Sequence, residues 1–296
     1  MKAKPCVCWW IFCVCFSFMF LAPCRAQMTD WFTEGFDGSV NTNDLQFRTI
    51  TFTPNGTANF YYACQVAATN FPTDPTGGTV VLLGDDDSKQ VTLSGSQTVA
   101  IYGTRTNVFF IGSNGYLTMN STDVTYIAYP SGTSFSWPSN HFNLPRVSAW
   151  FDDLNPDPVS GSGTISWKQT SDRVAVTYQY VKSFYAGYTN NSFQIELFYD
   201  GRIQLTYLQV DDISGLVGLS AGQGVPAGFA MSDIDMYANC SLPAIITQPA
   251  SVTVPVGGSA TFNVTAISPT PLSYFWLRNS VLIPGATNSS YPIFPK

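Results

Sequence analysis

From Asn107 to Leu219 apolar and polar residues alternate almost without a break, which is the period-two signature of half-buried antiparallel strands. Phe193, Ile195, Leu197 and Tyr199 take one phase, while Gln194, Glu196 and Phe198 take the other. Asp200-Gly201 interrupts the run before Ile203, Leu205 and Tyr207 resume it. An Asp-Gly pair between two alternating runs predicts a tight hairpin. Within the same stretch strands are predicted at Val108–Ile111, Tyr116–Met119, Val147–Phe151, Thr164–Gln169, Arg173–Val181 and Leu216–Ser220. Upstream they are predicted at Leu45–Phe52, Ala58–Gln65, Gly78–Leu83, Gln90–Leu93 and Thr98–Tyr102, with Phe71-Pro72-Thr73-Asp74-Pro75 as a stiff loop. No convincing amphipathic helix interrupts them. Many short strands punctuated by Gly, Pro, Asn and Ser predict an all-β protein whose main domain is an antiparallel sandwich or barrel-like sheet.

Two ends of the chain depart from this pattern. Lys2 and Lys4 precede an apolar run from Val7 to Ala22, and Cys24-Arg25-Ala26 follows it with small residues suited to cleavage before Gln27. The run is shorter than the roughly 20 residues a membrane span needs. Residues 1–26 therefore read as a signal peptide, and residues 27–241 as the main domain of a secreted or cell-surface protein with no membrane insertion after cleavage. At the other end, Ser241-Leu242-Pro243 marks a boundary, and residues 242–296 follow a different pattern.

Removal of the leader changes the cysteine count and the charge. Five of seven cysteines go with it, leaving Cys64 and Cys240. Two cysteines in an exported chain predict one disulfide. The whole chain carries a net charge of −6, and loss of Lys2, Lys4 and Arg25 takes it to about −9. Such a surface repels nucleic acid and anionic lipid and favours cations.

Candidate chemistry is sparse. His141, the single histidine, sits in a loop-like context and has no Gly-x-Ser-x-Gly elbow to serve, so a serine triad is not expected. Glu34 and Glu196 are the only glutamates, and Glu196 falls in the outward phase of its strand. Asp152 and Asp153 are neighbours, so on a strand they point to opposite faces; hydrolysis by either is the least favoured reading. Asp153, Asn155 and Asp157 space oxygen ligands at every second residue, as calcium loops do. Pro158 stands where an EF-hand requires glycine, and no downstream glutamate follows. Asp85-Asp86-Asp87 is a second acidic cluster. Calcium is thus the one cofactor expected. Tyr116, Trp137, Trp150, Trp167, Tyr185 and Tyr188 are the aromatic candidates for stacking on a sugar ring, with Tyr185 and Tyr188 in the loop most suited to exposure.

Phe110-Ile111-Gly112-Ser113-Asn114-Gly115-Tyr116-Leu117 resembles the opening of nidogen-like extracellular domains. Pro145-Arg146-Val147-Ser148-Ala149-Trp150-Phe151-Asp152-Asp153, the stretch Thr164–Val181 and Phe193–Gly201 follow in that family's order. Asp37–Tyr102 has no nidogen-like counterpart in this reading. In the tail, Ile246-Thr247-Gln248-Pro249, Ala260-Thr261-Phe262-Asn263-Val264 and Pro271-Leu272-Ser273-Tyr274-Phe275-Trp276 resemble a bacterial immunoglobulin-like repeat, with Trp276 as its core tryptophan. That repeat reads as incomplete, since the sequence stops before the strand that closes such a sandwich. The resemblance implies a non-catalytic secreted or cell-surface module for adhesion or extracellular recognition, with a protein or glycan as partner. The alternative is an accessory substrate-binding region of a larger secreted protease or glycoside hydrolase.

Overall fold

The computed structural model describes residues 11–13, 30–54, 61–126, 137–185, 189–241, 243–268, 272–279 and 281–294. The chain forms two units, Gln27–Tyr237 and a second that joins the N-terminal 26 residues to Ala238–Lys296. A short backbone strand, β1 (Ile11–Cys13), belongs to the second unit.

The regular structure of the main unit is almost all strand. Its strands are β2 (Thr33–Asp37), β3 (Arg48–Pro54), β4 (Tyr61–Ala67), β5 (Thr79–Val81), β6 (Ser88–Thr92), β7 (Val99–Ile101), β8 (Thr104–Thr106), β9 (Val108–Gly112) and β10 (Tyr116–Met119), followed by the short helix α1 (Trp137–Phe142). Then come β11 (Pro145–Phe151), β12 (Leu154–Asn155), β13 (Thr164–Gln169), β14 (Arg173–Ser183), β15 (Asn191–Phe198), β16 (Ile203–Val210) and β17 (Ser214–Ala221). One antiparallel sheet runs β2-β17-β11-β10-β9-β6, and the other runs β4-β3-β16-β15-β14-β13-β5 with β12 paired to β14. Neither closes into a barrel. The predicted hairpin is present: Leu197 pairs with Ile203, and Gly201 takes a positive φ of 94° at the turn.

Alternation decides which face each residue serves. Phe193, Ile195 and Leu197 meet Val174, Val176, Leu205 and Tyr207 in the core, with Trp150, Val147 and Leu219 contributed by the other sheet. Gln194 and Glu196 point the other way, yet both are fully buried. The stiff loop covers them: Thr73 donates its backbone N–H to Gln194 (3.1 Å) and its hydroxyl to Glu196 Oε1 (2.5 Å). A buried polar row survives because each member has such a partner.

The six-stranded sheet is covered on its outer face as well. Arg146 lies there, fully buried, with its guanidinium 4.3 Å from the Tyr116 ring centre and 4.6 Å from that of Phe151. It pairs with Asp123 and donates to Asn140 O and Asn143 Oδ1 (both 3.1 Å). A register shift between Ser148 and Phe151 marks a bulge in β11, where the N–H groups of Ala149 and Trp150 both donate to Gly115 O. The bulge puts Trp150 into the core and Phe151 onto the Tyr116 face.

His141 does not sit in a loop. It lies in the last turn of α1 and is fully buried, with Nδ1 3.0 Å from Ser148 Oγ and Nε2 3.4 Å from Thr33 Oγ1. Burial, with Arg146 nearby, pulls its pKa down to about 3. The six residues of α1 are too few for a helical period to register in the sequence.

The second unit carries β18 (Ala244–Thr247), β19 (Ala260–Asn263), β20 (Thr265–Ile267), β21 (Trp276–Arg278), β22 (Val281–Leu282) and β23 (Ser290–Ile293). They pair as β18-β20, β19-β23 and β1-β21-β22. Trp276 is fully buried and donates its indole N–H to Asn288 O (2.8 Å).

Candidate functional site

Three places in the main unit concentrate polar chemistry or open space. The first is a pocket of about 440 Å³. Asp30 and Trp31 precede β2, Tyr102 turns between β7 and β8, Phe142 ends α1, and Leu219 and Ala221 form the wall contributed by β17; Gln223 stands on the glycine-rich loop that follows. A volume of this size holds a drug-sized ligand. Asp30 Oδ1 accepts from the backbone N–H of Phe32 (2.9 Å), from Ser232 Oγ (2.6 Å) and from the Tyr237 hydroxyl (3.1 Å). That turn leaves Phe32 at φ 47°, with its ring among Phe52, Tyr61 and Tyr237. Tyr102 is held at φ 45°, and its backbone N–H donates to the Tyr61 hydroxyl (3.0 Å). Bulky residues rarely adopt this region, and such strain persists only where the surroundings impose it.

The second place is a buried carboxyl pair. Asp152 and Asp212 are hydrogen-bonded to each other, and the Ser183 hydroxyl donates to Asp212 Oδ2. Burial first, then the bond and charge of Asp212, pushes Asp152 up to about 10. Asp152 therefore holds its proton at neutral pH while the unfolded chain releases it above about pH 4. Stability from this proton is complete at acid pH and declines as pH rises toward 10. Asp152→Asn replaces the neutral carboxyl with a neutral amide, so its thermal midpoint at pH 8 should exceed that of the parent, and the difference should vanish near pH 3. Equal midpoints at both pH values would sink the assignment.

The third place joins two acidic stretches that lie far apart in sequence. Asn114 donates to Asp86 Oδ1 (2.8 Å) and accepts from Leu154 N–H (2.9 Å), clamping the Asp85–Asp87 turn to the start of β12. Asp153 is only 7% exposed. Burial, with the charges of Asp86 and Asp85, lifts its pKa to about 6. Asn155 and Asp157 are engaged elsewhere: Asn155 Oδ1 accepts from Asp157 N–H (3.0 Å), and Asp157 Oδ1 accepts from Val159 N–H (2.9 Å). Asp153 thus faces the Asp85 turn, while Asn155 and Asp157 close local turns and Asp157 is near enough for its charge to raise the pKa of Asp85. Among the described residues no group of three or more His, Cys, Asp or Glu stands ready to hold a metal ion.

The remaining sequence candidates disperse. Tyr116 and Trp150 are core residues, and Trp167 is half-buried. Tyr185 is 79% exposed, with its ring against Phe184 (5.0 Å, edge-on). Tyr188 and the side chain of Trp137 lie outside the described residues. One disulfide is present, and Cys64 on β4 and Cys240 are both disulfide-bonded. Glu34 and Glu196 stand on different sheets. Sequence reasoning missed Asp30, Trp31, Tyr102 and Gln223. Gly222, Gly224 and Gly228 around Gln223 were the available signal for a loop that lines a site.

A two-sheet antiparallel sandwich with its open space among loops and strand ends defines a β-sandwich module. The chain belongs to the family described as NIDO related, which matches residues 61–263. No curated protein and no solved structure matches the chain. The nidogen-like family is extracellular. Among the described residues no helix is long and apolar enough to cross a membrane. The match begins at β4, so it takes in 61–102 of the stretch that seemed to lack a nidogen-like counterpart, and it continues past residue 241 into β19.

Proposed function

We propose that this chain is a non-catalytic module for extracellular recognition or adhesion, secreted or displayed at the cell surface, with a protein or glycan as partner. The observation that carries this reading is the pocket at Asp30: it is roomy and largely apolar, whereas the groups suited to catalysis are engaged in the fold. His141 is neutral, sealed in and has no carboxylate partner among the described residues. Asp152 and Asp212 are buried and hydrogen-bonded to each other, closer than the roughly 5 Å at which two carboxyls flank a glycosidic bond. Residues 1–26 act as the leader in this reading, and the tail is an immunoglobulin-like repeat that displays the main unit.

The test is an array of glycans and matrix proteins probed with the whole chain, beside a panel of protease and glycosidase substrates. Retention of one ligand class without turnover supports recognition, and substrate turnover overturns it. Tyr185→Ala and Asp30→Asn then divide the exposed loop from the pocket as the contact. The second reading, an accessory region of a secreted hydrolase, is favoured by the same apolar pocket and requires that the retained ligand be a hydrolase substrate.

Calcium enters this proposal as a structural ion that would have to draw Asp153 together with the Asp85–Asp86 turn or with Asn155 and Asp157, since none of these groups stands assembled as a ligand set among the described residues. It would relieve the repulsion from Asp86 and Asp85 that adds to burial in raising the Asp153 pKa. Millimolar calcium is expected to raise the thermal midpoint of the parent and leave that of Asp153→Asn unchanged; no rise in the parent removes the ion from the reading.

A further inference from the structure

We propose that the pocket at Asp30 receives an organic cation, an ammonium or guanidinium group carried on an apolar stem. This rests on the recognition reading above and names the chemistry of its ligand. Of the residues that line the pocket, Asp30 is the only acidic one, and no lysine, arginine or histidine stands among them. Its Oδ1 is occupied by three donors from Phe32, Ser232 and Tyr237, which fix the carboxylate in place. Oδ2 receives no hydrogen bond from the described residues and is left for an incoming donor. A neutral apolar ligand would strip water from that oxygen and give nothing back, and an anion would be repelled. A cation replaces the lost water with a charge-assisted hydrogen bond.

The rest of the lining suits the body of such a ligand. Trp31 and Tyr102 offer aromatic surface, which attracts a cation through its π-face and packs on an apolar stem. Phe142, whose ring is steadied edge-on by Phe229 at 5.1 Å, and Leu219 complete an apolar interior. The Tyr102 ring lies edge-on against that of Tyr61 with centres 5.2 Å apart, so it is positioned before any ligand arrives. The surplus of acidic groups over the whole chain adds long-range attraction for a cation.

Titration calorimetry of the whole chain tests this with phenethylammonium, its neutral isostere 2-phenylethanol, and capped arginine and lysine amides. The expected result is that phenethylammonium binds at least about tenfold more tightly than the alcohol, and that added salt weakens it. Tighter binding of a capped residue makes a partner's side chain the source of the cation; tighter binding of the free amine makes it a small molecule. Asp30→Asn should bring the amine down to the level of the alcohol. Because Asp30 also anchors Ser232 and Tyr237, Ala221→Phe serves as a second variant that fills the pocket and keeps the carboxylate; it should abolish binding of the amine while the near-UV spectrum is retained. Equal affinity for amine and alcohol, no cation binding at all, or binding that survives Ala221→Phe overturns the proposal. If an array partner is still retained by Ala221→Phe, recognition stands and the pocket assignment falls.

Discussion

Trp150→Ala should lower the unfolding free energy of the main unit by about 3–5 kcal/mol, the range for deleting a large buried aromatic side chain. Trp150 is fully buried between the sheets and stacks on Phe36 with ring centres 5.3 Å apart. The neighbouring strand has adapted to it: a Cβ on Gly215 would lie 2.6 Å from the indole Cε2. Removal of the indole therefore leaves a void that Gly215 cannot fill and that Phe36 fills only by leaving β2. Trp150→Phe should lose far less, since it keeps most of the ring and removes an indole N–H that has no partner. Urea unfolding followed by circular dichroism measures both. A loss below about 1 kcal/mol for the alanine variant would mean that the sheets do not pack through this residue.

The second large effect concerns Arg146. Asp123→Ala strands a fully buried guanidinium without its counter-ion, and breaking such a pair from one side costs about 3–5 kcal/mol. Arg146→Met is the informative companion. It removes the charge and keeps the stem between Tyr116 and Phe151, so it should be less damaging than Asp123→Ala despite deleting the larger group. Two guanidinium nitrogens, Nε and Nη1, already lack hydrogen bonds, which adds to the advantage of an apolar replacement. Burial alone would raise the Asp123 pKa, but Arg146 and the bonds from Thr125 outweigh it and bring the carboxyl below its ordinary value. Its folded pKa is depressed, so its contribution is present above about pH 4 and is lost as pH falls through the folded value. Asp152 acts in the opposite sense. Stability should therefore peak at mildly acidic pH, with Asp123→Ala removing the acid limb and Asp152→Asn the alkaline one.

Much of the fold was legible because its strands obey a local rule. Phe193, Ile195 and Leu197 read as core from alternation alone, and Asp200-Gly201 read as their turn. The opposed directions of Asp152 and Asp153 followed from their adjacency beyond β11, and one meets Asp212 while the other faces Asp85 and Asp86. Strand β2 was not legible. Thr33 and Glu34 are polar, and they are buried only because Asn41, Ser232 and Ile234 return to bond them. The same limit hid the pocket and the Asn114 clamp. Each is assembled from segments dozens to hundreds of residues apart, and period, propensity and turn chemistry carry no information at that range.

Asp30 is held by Ser232 and Tyr237, roughly two hundred residues further along the chain, and β2 pairs with β17, the last strand of its sheet. The first and last segments of the main unit thus meet at the pocket. During synthesis every intervening strand is made before the anchors of Asp30 exist, and a chain cut just before Ser232 would carry every strand of both sheets and lack those anchors. If the pocket binds its ligand as proposed, binding is in this sense a certificate of completion. A molecule that binds has already closed its sandwich, and an unfinished one stays silent.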